Sequence, residues 1–289
     1  MPADRRGVRL SGMKPAALIL TLAFASAIAV AHPEIDVQIA DVTARMAETP
    51  GDATLWLRRG DLHRIHRDWD LAAADFAHAL KLDPGLSRVH LAASRLELDA
   101  GRPARALAAA ERYLATDPRS VKALALQGRA LHAMGKHLAA ARAFDKALAE
   151  DPGVSELYME RANALHAAGR AHVAEAIRGL DAGIAQLGKA PTFELQAIDL
   201  ELVRGAHGAA LERIDRVIAI ANRKDPWIYR KAEILEAAGR LTEARTLYAD
   251  VLRRIDELPV NRRGTRAARD LAADAQAALE RLAPVGDGS

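Results

Sequence analysis

The chain has 289 residues, of which 50% are hydrophobic and only 4% aromatic, and it contains no cysteine. Disulfides, thiolate metal sites, a cysteine nucleophile and a lipidated cysteine anchor are therefore excluded, and the apolar content is too high for wholesale disorder. The formal net charge of +3 sits in the first 31 residues, where Arg5, Arg6, Arg9 and Lys14 face a single acid, Asp4; the balanced remainder has no overall field to draw in nucleic acid or an anionic membrane.

Residues 1–14 are basic, and residues 15–31 form an uncharged apolar run ending in Ala29-Val30-Ala31. A basic segment, a short apolar segment and a small-x-small end predict a signal peptide over 1–31, cleaved after Ala31, with Ala25-Ser26-Ala27 as a second site. The expected destination is the periplasm or the exterior of a bacterial cell. The alternative is a short membrane anchor that is retained.

Beyond the leader, Ile35, Ile39, Val42 and Met46 predict an amphipathic helix over 35–48, within a half unit spanning 32–52. Then two punctuation marks share one period. Pro50, Pro84, Pro118 and Pro152 are 34 residues apart; Gly101, Gly135, Gly169, Gly205 and Gly239 follow at gaps of 34, 34, 36 and 34. Glycine accepts the left-handed conformation that ends a helix, and proline cannot continue one. The unit therefore reads helix, turn, helix, stop, with Leu124, Leu131, Ala140, Phe144, Ala147 and Leu148 on the apolar faces of the third. Six units are expected at 53–86, 87–120, 121–154, 155–190, 191–224 and 225–258. A closing helix follows over 265–282 within a cap at 259–283, then a disordered tail at 284–289.

Trp56, Gly60, Ala72, Phe76, Ala79 and Pro84 in the first unit, and Gly128, Ala140, Phe144, Ala147 and Pro152 in the third, carry a pattern that resembles the tetratricopeptide repeat. Departures are Arg59 for the usual Leu, His63 for Tyr, an inversion of large and small at Ala110 and Tyr113, and Ile198 where a small residue is usual. The resemblance implies an all-α, right-handed superhelical solenoid of stacked antiparallel helix pairs. It also implies a non-catalytic protein that binds a protein or peptide partner in a concave groove lined by the first helix of each unit. Carried onto this sequence, the groove contains Arg88, Leu91 and Arg95, then Lys122, Arg129 and His132, then Met159, Asn163 and His166, with acidic ends at Asp61 and at Asp199, Glu233 and Glu236. This is a basic centre over an apolar floor, suited to an extended segment bearing a carboxylate.

No phosphate loop, nucleophile elbow, zinc-helix or calcium-loop motif is present. Carboxylates are expected on solvated helix faces, so no catalytic residue, cofactor or metal is assigned. The histidines leave three options open: a metal pair at His63 and His66 beside Asp61, a stack of His132 on His166, and His32 at a new amino terminus. The expected function is an exported adaptor or scaffold without nucleic-acid binding, and without membrane association once the leader is removed. The alternatives are a membrane-tethered envelope assembly factor and a histidine-based metal carrier.

Overall fold

The computed structural model of the chain describes residues 33–188 and 191–283, and among them there is no β-strand. The leader with its cleavage sites, His32, and the tail from residue 284 lie outside the described residues. Helix α1 (Pro33–Glu48) precedes six antiparallel pairs. These are α2 (Ala53–His66) with α3 (Trp69–Leu82), α4 (Arg88–Asp99) with α5 (Pro103–Leu114), and α6 (Val121–Ala133) with α7 (His137–Glu150). They continue as α8 (Ser155–Ala167) with α9 (Val173–Leu187), α10 (Pro191–Arg204) with α11 (His207–Ile220), and α12 (Asp225–Ala237) with α13 (Leu241–Asp256). A four-residue helix, α14 (Val260–Arg263), and a closing helix, α15 (Arg266–Arg281), complete the stack.

Each second helix packs on its own first helix and on the first helix of the next unit. First helices also touch in succession, α2 to α4, α4 to α6, α6 to α8 and α8 to α10, and no two second helices approach as closely. Closer approach on one side curves the stack into a superhelical solenoid and places the first helices on its concave side.

Inside a pair, one slot on the first helix faces one slot on the second. The pairs are Gly60 with Phe76, Ser94 with Ala110, Gly128 with Phe144, Ala162 with Leu180, Ile198 with Ile214, and Ala232 with Tyr248, all buried. Where the second helix carries a ring, the first has only Gly or Ala. A Cβ on Gly128 would stand 2.6 Å from a Phe144 ring carbon, and one on Gly60 would stand 2.5 Å from Phe76. The second unit instead sets two small residues against each other. Its small pair leaves room for the Ser94 hydroxyl to donate to the Ala106 carbonyl at 2.9 Å. The apolar core is segmented into five clusters, the largest running from α6 to α10 and the next from α10 to α15.

The turn inside each unit ends on a residue with positive φ: Arg67 (70°), Gly101 (70°), Gly135 (74°), Gly169 (117°), Gly205 (77°) and Gly239 (76°). At Gly135 the Lys136 N–H donates to the Leu131 carbonyl and the Gly135 N–H to that of His132, both at 2.9 Å. This double closure stops the helix and reverses the chain. Arg67 makes the same closure without glycine, through Asp68 N–H to the His63 carbonyl at 2.8 Å. The two extra residues after Gly169 are absorbed by a 3-10 turn over Arg170–His172.

At the far end, Arg281 donates to both carboxylate oxygens of Glu236 on α12, at 3.0 and 2.9 Å, and the buried Tyr248 hydroxyl donates to Glu236 at 2.9 Å. These bonds hold the Glu236 carboxyl below its ordinary value, Arg281 contributing most. They fasten the closing helix to the last pair.

Two substitutions should move stability in opposite directions. Gly128→Ala should cost about 1–2 kcal/mol, because overpacking against Phe144 exceeds the gain in helix propensity. Arg67→Gly should add about 1 kcal/mol by removing a side chain from a left-handed residue. Urea unfolding of each variant beside the parent reads both; equal midpoints for all three would contradict the packing and turn assignments.

Candidate functional site

The concave face carries a ladder of polar contacts, and at three successive junctions they follow one pattern. The ninth residue of one first helix reaches the sixth residue of the next. Arg129 donates from Nε to Glu160 at 2.7 Å, and its Nη2 lies 3.2 Å from Glu156. Gln196 donates from Nε2 to the Asn163 side-chain oxygen at 2.6 Å and to the Met159 carbonyl at 3.3 Å. Arg230 donates to Asp199 at 2.8 Å. At the other end Arg64 bridges α2 to α4 through Asp99 at 2.5 Å. The junction of α4 with α6 lacks such a contact: Arg95 is the ninth residue of its repeat unit and the eighth of α4, and the sixth residue of α6 is the buried Leu126. Among the described residues Arg88, Arg95 and Lys122 take part in no ion pair and no side-chain hydrogen bond; Arg88 and Lys122 are exposed and Arg95 is half-buried.

The nine groove residues inferred from the sequence thus separate. Arg88, Arg95 and Lys122 stand at one junction as cations without partners. Leu91 is not an open floor; it is 8% exposed and packs with Ala110, Ala123 and Leu126. Arg129 is occupied by Glu156 and Glu160. Burial raises the Glu160 carboxyl above its ordinary value, against the opposing pull of Arg129. Met159 is half-buried against the core, Asn163 is tied to Gln196, and His166 is exposed.

His132 does not stack on His166. Its Nδ1 lies 3.2 Å from Nδ1 of His137, across the turn from α6 to α7, with ring centroids 4.8 Å apart. Burial and the neighbouring His137 lower its pKa. The other histidine pair also differs from expectation. Asp61 turns to Arg64 at 3.4 Å, and His66 hydrogen-bonds Asp68 at 2.8 Å and approaches Asp36 of α1 at 3.5 Å. His63 is 3.9 Å from the buried Asp75. Among the described residues no three His, Asp or Glu side chains gather closely enough to hold a metal ion.

Not every carboxylate lies on a solvated face. Asp75, Glu194, Glu201 and Asp225 are buried. Asp75 receives both ends of the Arg59 guanidinium, at 2.8 and 2.7 Å, while that guanidinium lies 4.9 Å from the Trp56 ring and Trp56 stacks on His78 at 3.8 Å. The larger group joins α9, α10 and α11. Arg213, 8% exposed, takes Asp181 with two hydrogen bonds at 2.8 and 3.0 Å and Glu194 with one at 3.1 Å, and stands 3.7 Å from Glu201. Arg216 grips Glu194 at 2.7 and 3.0 Å. Burial works to lower the pKa of Arg213, but its bonds to Asp181 and Glu194 prevail and raise it. This is a saturated structural network, with each acid neutralised in place. The sequence carried a signal for it: Glu194 and Glu201 occupy slots that the pattern reserves for Trp and Tyr. A cavity of about 500 Å³ also lies away from the groove, at the C-terminal end among Arg223, Lys224, Asp225, Arg254 and Arg262.

A family model described as tetratricopeptide repeat matches residues 91–155 and again 126–182. The fold is that of tetratricopeptide repeat proteins. Among solved structures, a tetratricopeptide repeat protein from Parabacteroides merdae ATCC 43184 is 16% identical with a TM-score of 0.54, over 84% of this chain and 93% of that one. PilW, a type IV pilus biogenesis factor, is 19% identical with a TM-score of 0.55, over 65% and 86%. YrrB, a tetratricopeptide protein with an unusual peptide-binding site, is 18% identical with a TM-score of 0.52, over 66% and 97%. No curated protein sequence matches the chain. Proteins of this fold generally mediate protein–protein interaction. Among the described residues no helix is long and apolar enough to cross a membrane.

The buried network yields a stability prediction. Arg213→Ala should cost about 3 kcal/mol, the lower end for breaking a buried ion pair, because Arg216 and Arg204 remain to hold Glu194 and Glu201. Arg216→Ala, at a position 53% exposed on its side chain, should cost under about 1 kcal/mol. Denaturant midpoints separate the two; comparable losses would show that burial does not set the energetics here.

Proposed function

We infer that the protein is a non-catalytic adaptor, exported from a bacterial cell, that holds an extended protein segment against the concave face at the junction of α4 and α6. One observation carries the reading. Arg88, Arg95 and Lys122 lack partners where the first-helix ladder is broken, while Arg129, Asn163 and Asp199 are spent on the ladder. Three uncompensated cations on a concave surface suit an acidic segment or a chain-terminal carboxylate, and arginine grips a carboxylate with two hydrogen bonds. Peptide binding by YrrB and the assembly role of PilW, proteins of the same fold, are compatible with this reading.

Export rests on the sequence pattern of residues 1–31. If the leader is cleaved after Ala31, the intact mass of the protein isolated from its cell begins at His32. A mass that retains the leader would favour the second reading, a membrane-tethered envelope assembly factor.

The groove assignment is read with fluorescent peptides rich in Glu and Asp. Arg95→Glu with Lys122→Glu should weaken binding at least about tenfold, the loss of charge-assisted hydrogen bonds, and leave the unfolding free energy within about 0.5 kcal/mol of the parent's. Unchanged affinity in that double variant would remove the groove from the function. Arg129→Glu makes a poor probe, since it places three acids together and harms the ladder itself.

A further inference from the structure

We propose that His132 and His137 form a two-imidazole chelate for one divalent transition-metal ion, Cu²⁺ or Zn²⁺, at the rim of the concave face. The geometry comes first. Two nitrogens bound to one tetrahedral ion at ordinary metal–nitrogen distances stand about 3.3 Å apart. The two Nδ1 atoms stand 3.2 Å apart without an ion, so the ion asks for almost no rearrangement. Their rings are tilted by 56° rather than stacked flat.

The support around them is rigid. His132 lies in the last turn of α6 and His137 opens α7. The turn between them is locked by the Gly135 closure, with Lys136 N–H donating to the Leu131 carbonyl at 2.9 Å and Gly135 N–H to His132 itself at 2.9 Å. Below the turn, Gly128 and Phe144 fix how the same two helices cross. Ligands held by packed helices lose little freedom on binding, which is how a site with few ligands gains affinity. Both side chains are half-buried, so one side of the ion stays open.

That opening distinguishes the site from a structural metal. No third His, Asp or Glu among the described residues joins the pair. The rest of the shell is left to water or to a side chain of an incoming segment. Imidazole suits both ions, and the general order of affinity places Cu²⁺ above Zn²⁺. The pair belongs to this unit alone. The place of His132 is taken in the preceding unit by Leu98 and the place of His137 by Pro103, neither of which is a ligand. The proposal does not depend on the groove reading, because its test measures metal and not peptide.

The experiment titrates the untagged full chain with Cu²⁺ and separately with Zn²⁺, with Mg²⁺ as control, by calorimetry and native mass spectrometry. The parent should bind one equivalent that His132→Gln or His137→Gln weakens at least about tenfold, a ligand being worth no less than an outer-shell partner. His166→Gln, at the matching helix position one unit on, should leave that equivalent intact. Copper electron paramagnetic resonance should show coupling to two imidazole nitrogens in the parent and not in either single variant. Metal should raise the melting temperature of the parent and not of the double variant, and circular dichroism confirms that both are folded. If the double variant keeps every equivalent of the parent, or the parent binds none, the pair is joined only by a shared proton and the proposal fails.

Discussion

Everything in this structure depends on how closely two helices of a unit can cross. The crossing is set by one pair of slots: where Phe76, Phe144 or Tyr248 fills the second helix, only Gly60, Gly128 or Ala232 fits on the first. Small residues let helix axes approach, and the ring then fills the space beside the crossing. Two units depart from this scheme: the second pairs two small residues, Ser94 with Ala110, and the fifth two large ones, Ile198 with Ile214. A unit built on this crossing leaves an apolar flank uncovered, and stacking covers it. The curvature, the concave face and the first-helix ladder are all consequences.

Charge serves two purposes along the stack. On the concave face, Arg129 with Glu160, Asn163 with Gln196 and Arg230 with Asp199 join first helix to first helix at polar rungs half open to water. Between α9, α10 and α11, the charges are taken inside, and Arg213 answers three carboxylates. A buried ionic group of that kind rarely surpasses a well-packed apolar one in net stability, but it is costly to leave half made. It fixes the position of α10, the helix through which the two largest apolar clusters meet.

The fold was legible because its signal is backbone punctuation. Glycine at the left-handed turn and proline after the second helix act locally, so their spacing survives any change in what the side chains touch. Arg67 shows the limit: it adopts the same left-handed turn, and nothing in its residue type announces it. Side-chain partnerships were less legible, since each depends on the register between units. Arg129 reads as an open groove cation because its acids lie on the first helix of the next unit, 27 and 31 residues on. His132 was paired with the equivalent position one unit on, when its neighbour lies five residues away across the turn. Leu91 was assigned to the surface by repeat position, whereas the small Ala110 and Ala123 open a space that draws it inward. Glu194 and Glu201 did signal trouble, as acids in slots for large rings, but the answering Arg213 lies on another helix.

The ladder gives the units an order as well as a shape. Its rungs read cation to anion at Arg129 and Glu160, amide to amide at Asn163 and Gln196, and anion to cation at Asp199 and Arg230. The polarity of the rungs therefore differs from junction to junction. Were the modules from 155 to 224 lost, Arg129 would confront Arg230, and two guanidinium groups would repel where a bridge stood before.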